Sequence, residues 1–197
     1  LGEVKGARAF VTWNRQAGYY EESGWRGTWK KEGGGVLINQ AIHTLDLLVY
    51  LLGKPEDVEA SMENHHLKNV IEVEDTVEAY MTFPFGNACF YATNAFAEDS
   101  LVLLEIVCEN GKMRMEGNCL EVTDKDGEKK VYDFTKPQNW EGKSYWGHSH
   151  QACICDFYKS LAEGVAYRNS LESVEDTFEL VMKIYENCKD KMNLGGR

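Results

Sequence analysis

Apolar residues at Val73, Val77, Ala79, Met81 and Phe83 interleave with Glu72, Glu74, Thr76 and Glu78. That period of two is the mark of a strand with one buried face. Pro84 and Gly86 signal a turn, and Asn87–Phe96 returns as the hairpin partner. A half-buried hairpin needs further strands and a covering layer. Leu101–Cys108 supplies one, apolar on both faces apart from Glu105, and a strand greasy on both sides is covered on both. With helices on one face, the other is expected to meet a second copy of the chain. Gly111, Gly117 and Asp126-Gly127 punctuate Lys112–Met115, Cys119–Thr123 and Lys129–Phe134, which read as an antiparallel meander. Gly2–Trp13, with Val4, Ala9, Phe10 and Val11, reads as a first strand.

Helices account for the rest. One runs from about Gly35 to Leu52 and stops at Gly53, with Pro55 just beyond. A second spans His148 to about Ala162, with His150, Ile154, Phe157, Tyr158 and Leu161 on one face and Gly164 as terminator. In the last, Val174, Phe178, Val181, Tyr185, Cys188 and Met192 form a docking stripe, before a linker-like Asn193-Leu194-Gly195-Gly196-Arg197. The order strand, loop, helix, several strands, two helices predicts an α+β fold, an open, mainly antiparallel sheet with helices packed on one face.

The 197 residues suit one domain, or a sizeable part of a larger protein. A net charge of −11 argues against nucleic-acid and anionic-membrane partners. The longest greasy segment, Leu45–Leu52, falls far short of the roughly 20 residues that cross a bilayer. Starting at Leu1 without a basic-then-apolar leader, the chain is expected to continue upstream, with no signal peptide. Six cysteines show no CxxC pair and no zinc-type spacing. Several fall in strand-like runs, so reduced, buried thiols and a cytoplasmic setting are expected.

Within GGGVLINQAIHTLD, residues 33–46, an advance of about 100° per residue brings Asn39, His43, Asp46 and Tyr50 onto one edge of the helix. Ile38, Ala41, Ile42, Leu45, Leu48, Val49 and Leu52 fall on the other. His43 can exchange a proton with a hydroxyl near neutral pH. Asn39 can hold a hydroxyl from either side but has no useful ionisation. The Gly33–Gly35 run would let backbone come close to a ligand. Asp46 is expected to steady His43. The aromatic loop ahead, with Trp13, Tyr19, Tyr20, Trp25 and Trp29, could plug the edge of the sheet or stack on a sugar ring or a nicotinamide. Arg26 could grip a carboxylate or phosphate bidentately. His150 is expected to face the core or the mouth of a cleft, and His65 and His66 to be solvated. No strand-GxGxxG-helix unit is present, so residues 33–35 are not a dinucleotide fingerprint.

WNR at 13–15, YY at 19–20, WRGTW at 25–29, EGGGVLINQAIHTLDLLVYLLG at 32–53 and SHQACICDFYKSLAEG at 149–164 resemble the C-terminal domain of the Gfo/Idh/MocA oxidoreductases. These are the relatives of glucose-fructose oxidoreductase and inositol dehydrogenase. The resemblance covers essentially the whole chain and implies a dihydrodipicolinate-reductase-like C-terminal domain, here the substrate-binding and oligomerisation part (1–197) of an NAD(P)-dependent dehydrogenase of sugars or polyols. NAD or NADP would be held mainly by an N-terminal Rossmann domain absent from this chain, so the chain alone is expected to be inactive. The family uses a lysine of that domain with an aspartate and a histidine on the helix after the glycines. His43 matches the histidine as the catalytic residue. Asn39 stands where many members have the aspartate. Asn39, Gln40, Arg26, Trp25 and Tyr19 are the expected substrate contacts, with Asp46 and His150 in support. A ligand-sensing or scaffold role without turnover is the alternative, and glycoside hydrolysis through transient oxidation a further variant.

Overall fold

The half-buried hairpin expected around Pro84 is the kernel of an eight-stranded sheet. The computed structural model describes residues 1–135 and 149–189. The strands are β1 (Val4–Thr12), β2 (Asp57–Glu63), β3 (Thr76–Phe83), β4 (Gly86–Thr93), β5 (Leu103–Cys108), β6 (Gly111–Glu116), β7 (Cys119–Asp124) and β8 (Lys129–Asp133). Their order is β2-β3-β4-β1-β5-β6-β7-β8. All neighbours are antiparallel except β1 and β4, which run parallel in register from Gly6↔Asn87 to Thr12↔Thr93. The helices are α1 (Ala17–Glu21), α2 (Ile42–Leu52), α3 (Ser149–Glu163) and α4 (Glu175–Cys188), with a π-helical turn, Leu37–Ala41, leading into α2. None of the described helices is long and apolar enough to cross a membrane.

The chain divides into two compact units, Leu1–Phe134 with the segment from Asp176 onward, and Thr135–Glu175. In the first, alternation puts Ala9, Val11, Val77, Ala79, Met81, Ala88, Phe90, Ala92, Leu104 and Ile106 on one face. Leu37, Ala41, Leu45, Leu48 and Val49 beside α2, and Leu180, Val181, Ile184 and Cys188 of α4, close over it as one core. The α4 face is rotated from the expected stripe: Val174 and Phe178 are exposed, while Thr177, Leu180 and Ile184 are buried. His148, Met192 and the 193–197 tail lie outside the described residues.

The other sheet face is less apolar than the reading of β5 implied. Leu104, Ile106 and Cys108 are buried, but the outward Val107 is exposed and Glu105 is covered by charge. Arg8 reaches Glu105 at 2.8 Å, and Lys112 and Arg114 at 4.0 and 3.9 Å. Beside that row, Phe10, Tyr80, Tyr91, Glu59, Glu78 and Cys89 border a hollow of about 450 Å³. The expectation of buried thiols holds only for Cys108 and Cys188. Cys89, Cys153 and Cys155 are exposed, and no disulfide joins any of the six among the described residues.

In the second unit, Ile154, Phe157, Tyr158 and Leu161 of α3 are not covered by the unit's own residues. Phe157 packs edge-on against Tyr158 and Tyr167, and Arg168 pairs with Asp156 at 3.1 Å.

Candidate functional site

The glycines before α2 are explained by two close neighbours. A Cβ on Gly35 would lie 1.9 Å from the Glu74 carbonyl oxygen, and one on Gly34 would lie 2.0 Å from the Tyr185 hydroxyl. Of the run expected to admit a ligand, Gly34 and Gly35 instead admit a tyrosine and the chain's own backbone, while Gly33 borders open space. Glu74 docks the helix start. Its carbonyl accepts from Val36 N–H at 3.1 Å, and its Oε1 accepts from Gly35 N–H at 2.9 Å, Leu37 N–H at 3.1 Å and Tyr185 OH at 2.9 Å. Glu74 Oε2 is buried with no partner among the described residues. Burial outweighs the three donors and raises the Glu74 carboxyl to about 7. Burial, together with the neighbouring Glu74 charge, pushes the Tyr185 phenol well above its ordinary value. Gly35→Ala is therefore expected to cost about 2–3 kcal/mol, because backbone at that distance has to move. Urea unfolding with an unchanged m-value checks this.

From this anchor the π turn carries Asn39 and Gln40 to the ends of β1 and β4. Gln40, expected to contact substrate, is buried and committed. Its Nε2 donates to Tyr19 OH at 3.1 Å and its Oε1 accepts from Asn94 Nδ2 at 2.9 Å. Asn94 Nδ2 also donates to Tyr20 OH at 3.1 Å, while its buried Oδ1 has no partner among the described residues. Burial raises the Tyr20 phenol to about 12. This network locks the aromatic loop to the sheet. Tyr20 is buried, and Trp29 is half-buried and packs edge-on to Tyr185 at 6.1 Å, so part of the loop does plug the sheet.

Tyr19 and Trp25 keep a different role. The Arg26 guanidinium carbon sits 4.1 Å from the Tyr19 ring centroid and 5.0 Å from that of Trp25, with Nη1 donating to the Tyr19 carbonyl at 3.2 Å. Arg15, over Trp13 and Tyr19, is neutralised by Asp99 at 2.8 Å. Arg26 has no acidic partner among the described residues, and its Nε is buried and unpartnered. The ring-clamped cation is thus available to an anion.

His43 lies in the first turn of α2 with its side chain exposed. Asn39, one turn earlier and half-buried, donates through Nδ2 to Glu32 Oε1, whose other oxygen accepts from Gly27 N–H. Asp46, expected to steady His43, accepts instead from Thr177 Oγ of α4 at 2.7 Å, pinning one helix to the other. Tyr50 is exposed. His150 belongs to the second unit, at the start of α3. His65 and His66 are exposed as expected, and their backbone N–H groups are held by Asp75 at 3.0 and 2.8 Å. Sequence reasoning missed Glu32, Glu74, Asn94 and Tyr185 as a group; the only trace was the glycine run that Glu74 and Tyr185 require.

The sequence pattern of the GFO/IDH/MocA C-terminal domain matches residues 1–114. The chain belongs to the Gfo/Idh/MocA C-terminal domain family. No curated protein matches it in sequence. Among solved structures, this Gfo/Idh/MocA domain is similar to an oxidoreductase from Agrobacterium radiobacter in complex with NAD+, L-tartaric acid and magnesium (TM-score 0.79, 21% identity, 96% of this chain and 56% of that one). It is also similar to the WlbA dehydrogenase from Bordetella pertussis with NADH and UDP-GlcNAcA (0.75, 23%, 96% and 53%). A levoglucosan dehydrogenase with NADH and levoglucosan matches as well (0.78, 20%, 96% and 57%). At these identities the likeness establishes the fold. The chain spans little more than half the length of those proteins.

Proposed function

We propose that this chain is the substrate-binding and catalytic half of an NAD(P)-dependent dehydrogenase acting on a sugar or polyol hydroxyl. The observation that carries the reading is the exposed His43 imidazole one helical turn from the Asn39 amide, in a member of an oxidoreductase family. His43 accepts the hydroxyl proton, alone or shared with a lysine outside this chain, while Asn39 and the Arg26–Tyr19–Trp25 clamp orient the rest of the substrate. A nicotinamide bound beside this site would supply the hydride acceptor for the same carbon. Gly34 and Gly35 are packed against Tyr185 and Glu74 and are not open to a phosphate, which is in keeping with a dinucleotide held by a Rossmann domain outside this chain. Structural neighbours solved with NAD+ or NADH and with levoglucosan or L-tartaric acid support both halves of the reading. The outer sheet face, with Phe10, Tyr80 and Tyr91 around its hollow, is assigned to a second copy of the chain, and the protein to the cytoplasm.

The test is nicotinamide reduction by the full-length protein over sugars, inositols and sugar acids with both cofactors. Substrate-dependent reduction supports the enzyme. Ligand-induced stabilisation without turnover favours the sensor, a reading kept in view by Asn39, which carries no ionisable group. Asn39→Ala is expected to raise KM about tenfold with kcat nearly unchanged, the pattern of a lost uniform binding contact. Steady-state kinetics on the best substrate decide it.

A further inference from the structure

Asn39 does not stand alone. Its Nδ2 donates to Glu32 Oε1, and Glu32 Oε2 accepts from the Gly27 N–H. A carboxylate can only accept, so this contact decides the orientation of the amide. The Nδ2 end is held towards Glu32, and Oδ1 is left without a partner among the described residues, ready to accept from a hydroxyl. The chain has therefore separated two jobs. The negative charge sits on Glu32, one residue before the glycine run, and a neutral acceptor sits on the helix, four residues before His43. We propose that Glu32 is a positioning residue of this site, fixing which end of Asn39 meets the substrate. The inference rests on the dehydrogenase reading for its substrate, but the contact can be read without turnover.

The partners also predict what the pair tolerates. Asn39→Asp would set two carboxylates against each other, whereas in E32Q, with the new side chain's oxygen still accepting from Gly27 N–H, its amide nitrogen faces Asn39 and draws Oδ1 round to accept from it, away from the substrate. In E32Q/N39D the donor and acceptor are exchanged: the amide introduced at position 32 donates to the carboxylate introduced at position 39 and keeps the Gly27 bond. The experiment compares these three variants with the native full-length protein carrying 15N in its asparagine side chains, using NAD+ with myo-inositol, D-glucose and D-galacturonate as probes.

In E32Q the Asn39 side-chain amide signal is expected to move, with KM up about tenfold and kcat within about threefold. N39D should lose about a hundredfold in kcat/KM, and the double variant should return to within about tenfold of native. An Asn39 amide signal unchanged in E32Q overturns the inference, whatever the activity. So does a double variant whose loss equals the combined loss of the singles. A moved signal with no turnover in any of the four proteins upholds the pairing and overturns the dehydrogenase reading instead.

Discussion

His43→Ala in the full-length protein is expected to lower kcat by about 10²- to 10⁴-fold, the contribution of a positioned acid or base. Stability should be untouched. The imidazole is exposed and makes no hydrogen bond or ion pair with any described residue, so its removal strands no partner and opens no cavity. That separation makes the measurement clean: single-turnover hydride transfer reads the chemical step, and urea unfolding of the same preparation reads the fold. A kcat within tenfold of native would remove His43 from the chemistry. A KM effect as large as the kcat effect would make it a binding residue like Asn39.

Glu74→Ala is expected to destabilise the first unit by about 4 kcal/mol, which lowers Tm by roughly 10 °C in a chain of this size. It strands the Gly35 and Leu37 N–H groups and the Tyr185 hydroxyl in a dry interior. The pH dependence is more diagnostic. The Glu74 carboxyl is raised from 4.5 to about 7 in the folded chain, because it is buried, with Oε1 taking all three bonds while Oε2 has none. A raised carboxyl favours the protonated fold. Its contribution is fully present below the unfolded value and is lost as pH climbs through the folded one. The stability of the native chain minus that of Glu74→Gln should fall by about 3 kcal/mol between pH 4.5 and 8. A flat or rising difference would contradict the assignment.

Strong patterns were legible. The alternation of β3 from Val77 onward, the turn at Pro84 and Gly86 and the apolar arc of α2 all depend on neighbours in sequence, and the sheet uses them as expected; Val73 and Glu74 precede the strand, and Glu74 and Thr76, read as polar outward positions, are buried. Strand β2 escaped notice because its outward positions are Asp57, Glu59, Ser61 and Glu63 at the rim of the sheet, residues with little intrinsic preference for a strand. The π turn was illegible for a different reason. It sits where Gly35 meets Glu74, two residues 39 apart in the chain, and across it an even advance per residue does not hold.

At the candidate site, the placement of position 43 on the helix after the glycines was readable from local spacing, while its role stays a proposal. Gln40 was misjudged, since nothing in the sequence near that amide hints that Asn94 will claim it. Asp46 was misjudged likewise, because Thr177 lies 131 residues further on. Buried acids such as Glu74 look like any surface glutamate until the donors facing them are known.

The placement of β1 bears on how the protein is made. Its ladder partners are β4 and β5, some eighty or more residues downstream, and it has no local hairpin. Ribosomal synthesis therefore releases this strand long before anything can pair with it, and the middle of the sheet closes only after residue 108 has emerged. High contact order of this kind slows folding and leaves an apolar strand open to wrong partners in the interval. Chaperone dependence, if this protein shows it, would begin when the Val4–Thr12 strand emerges.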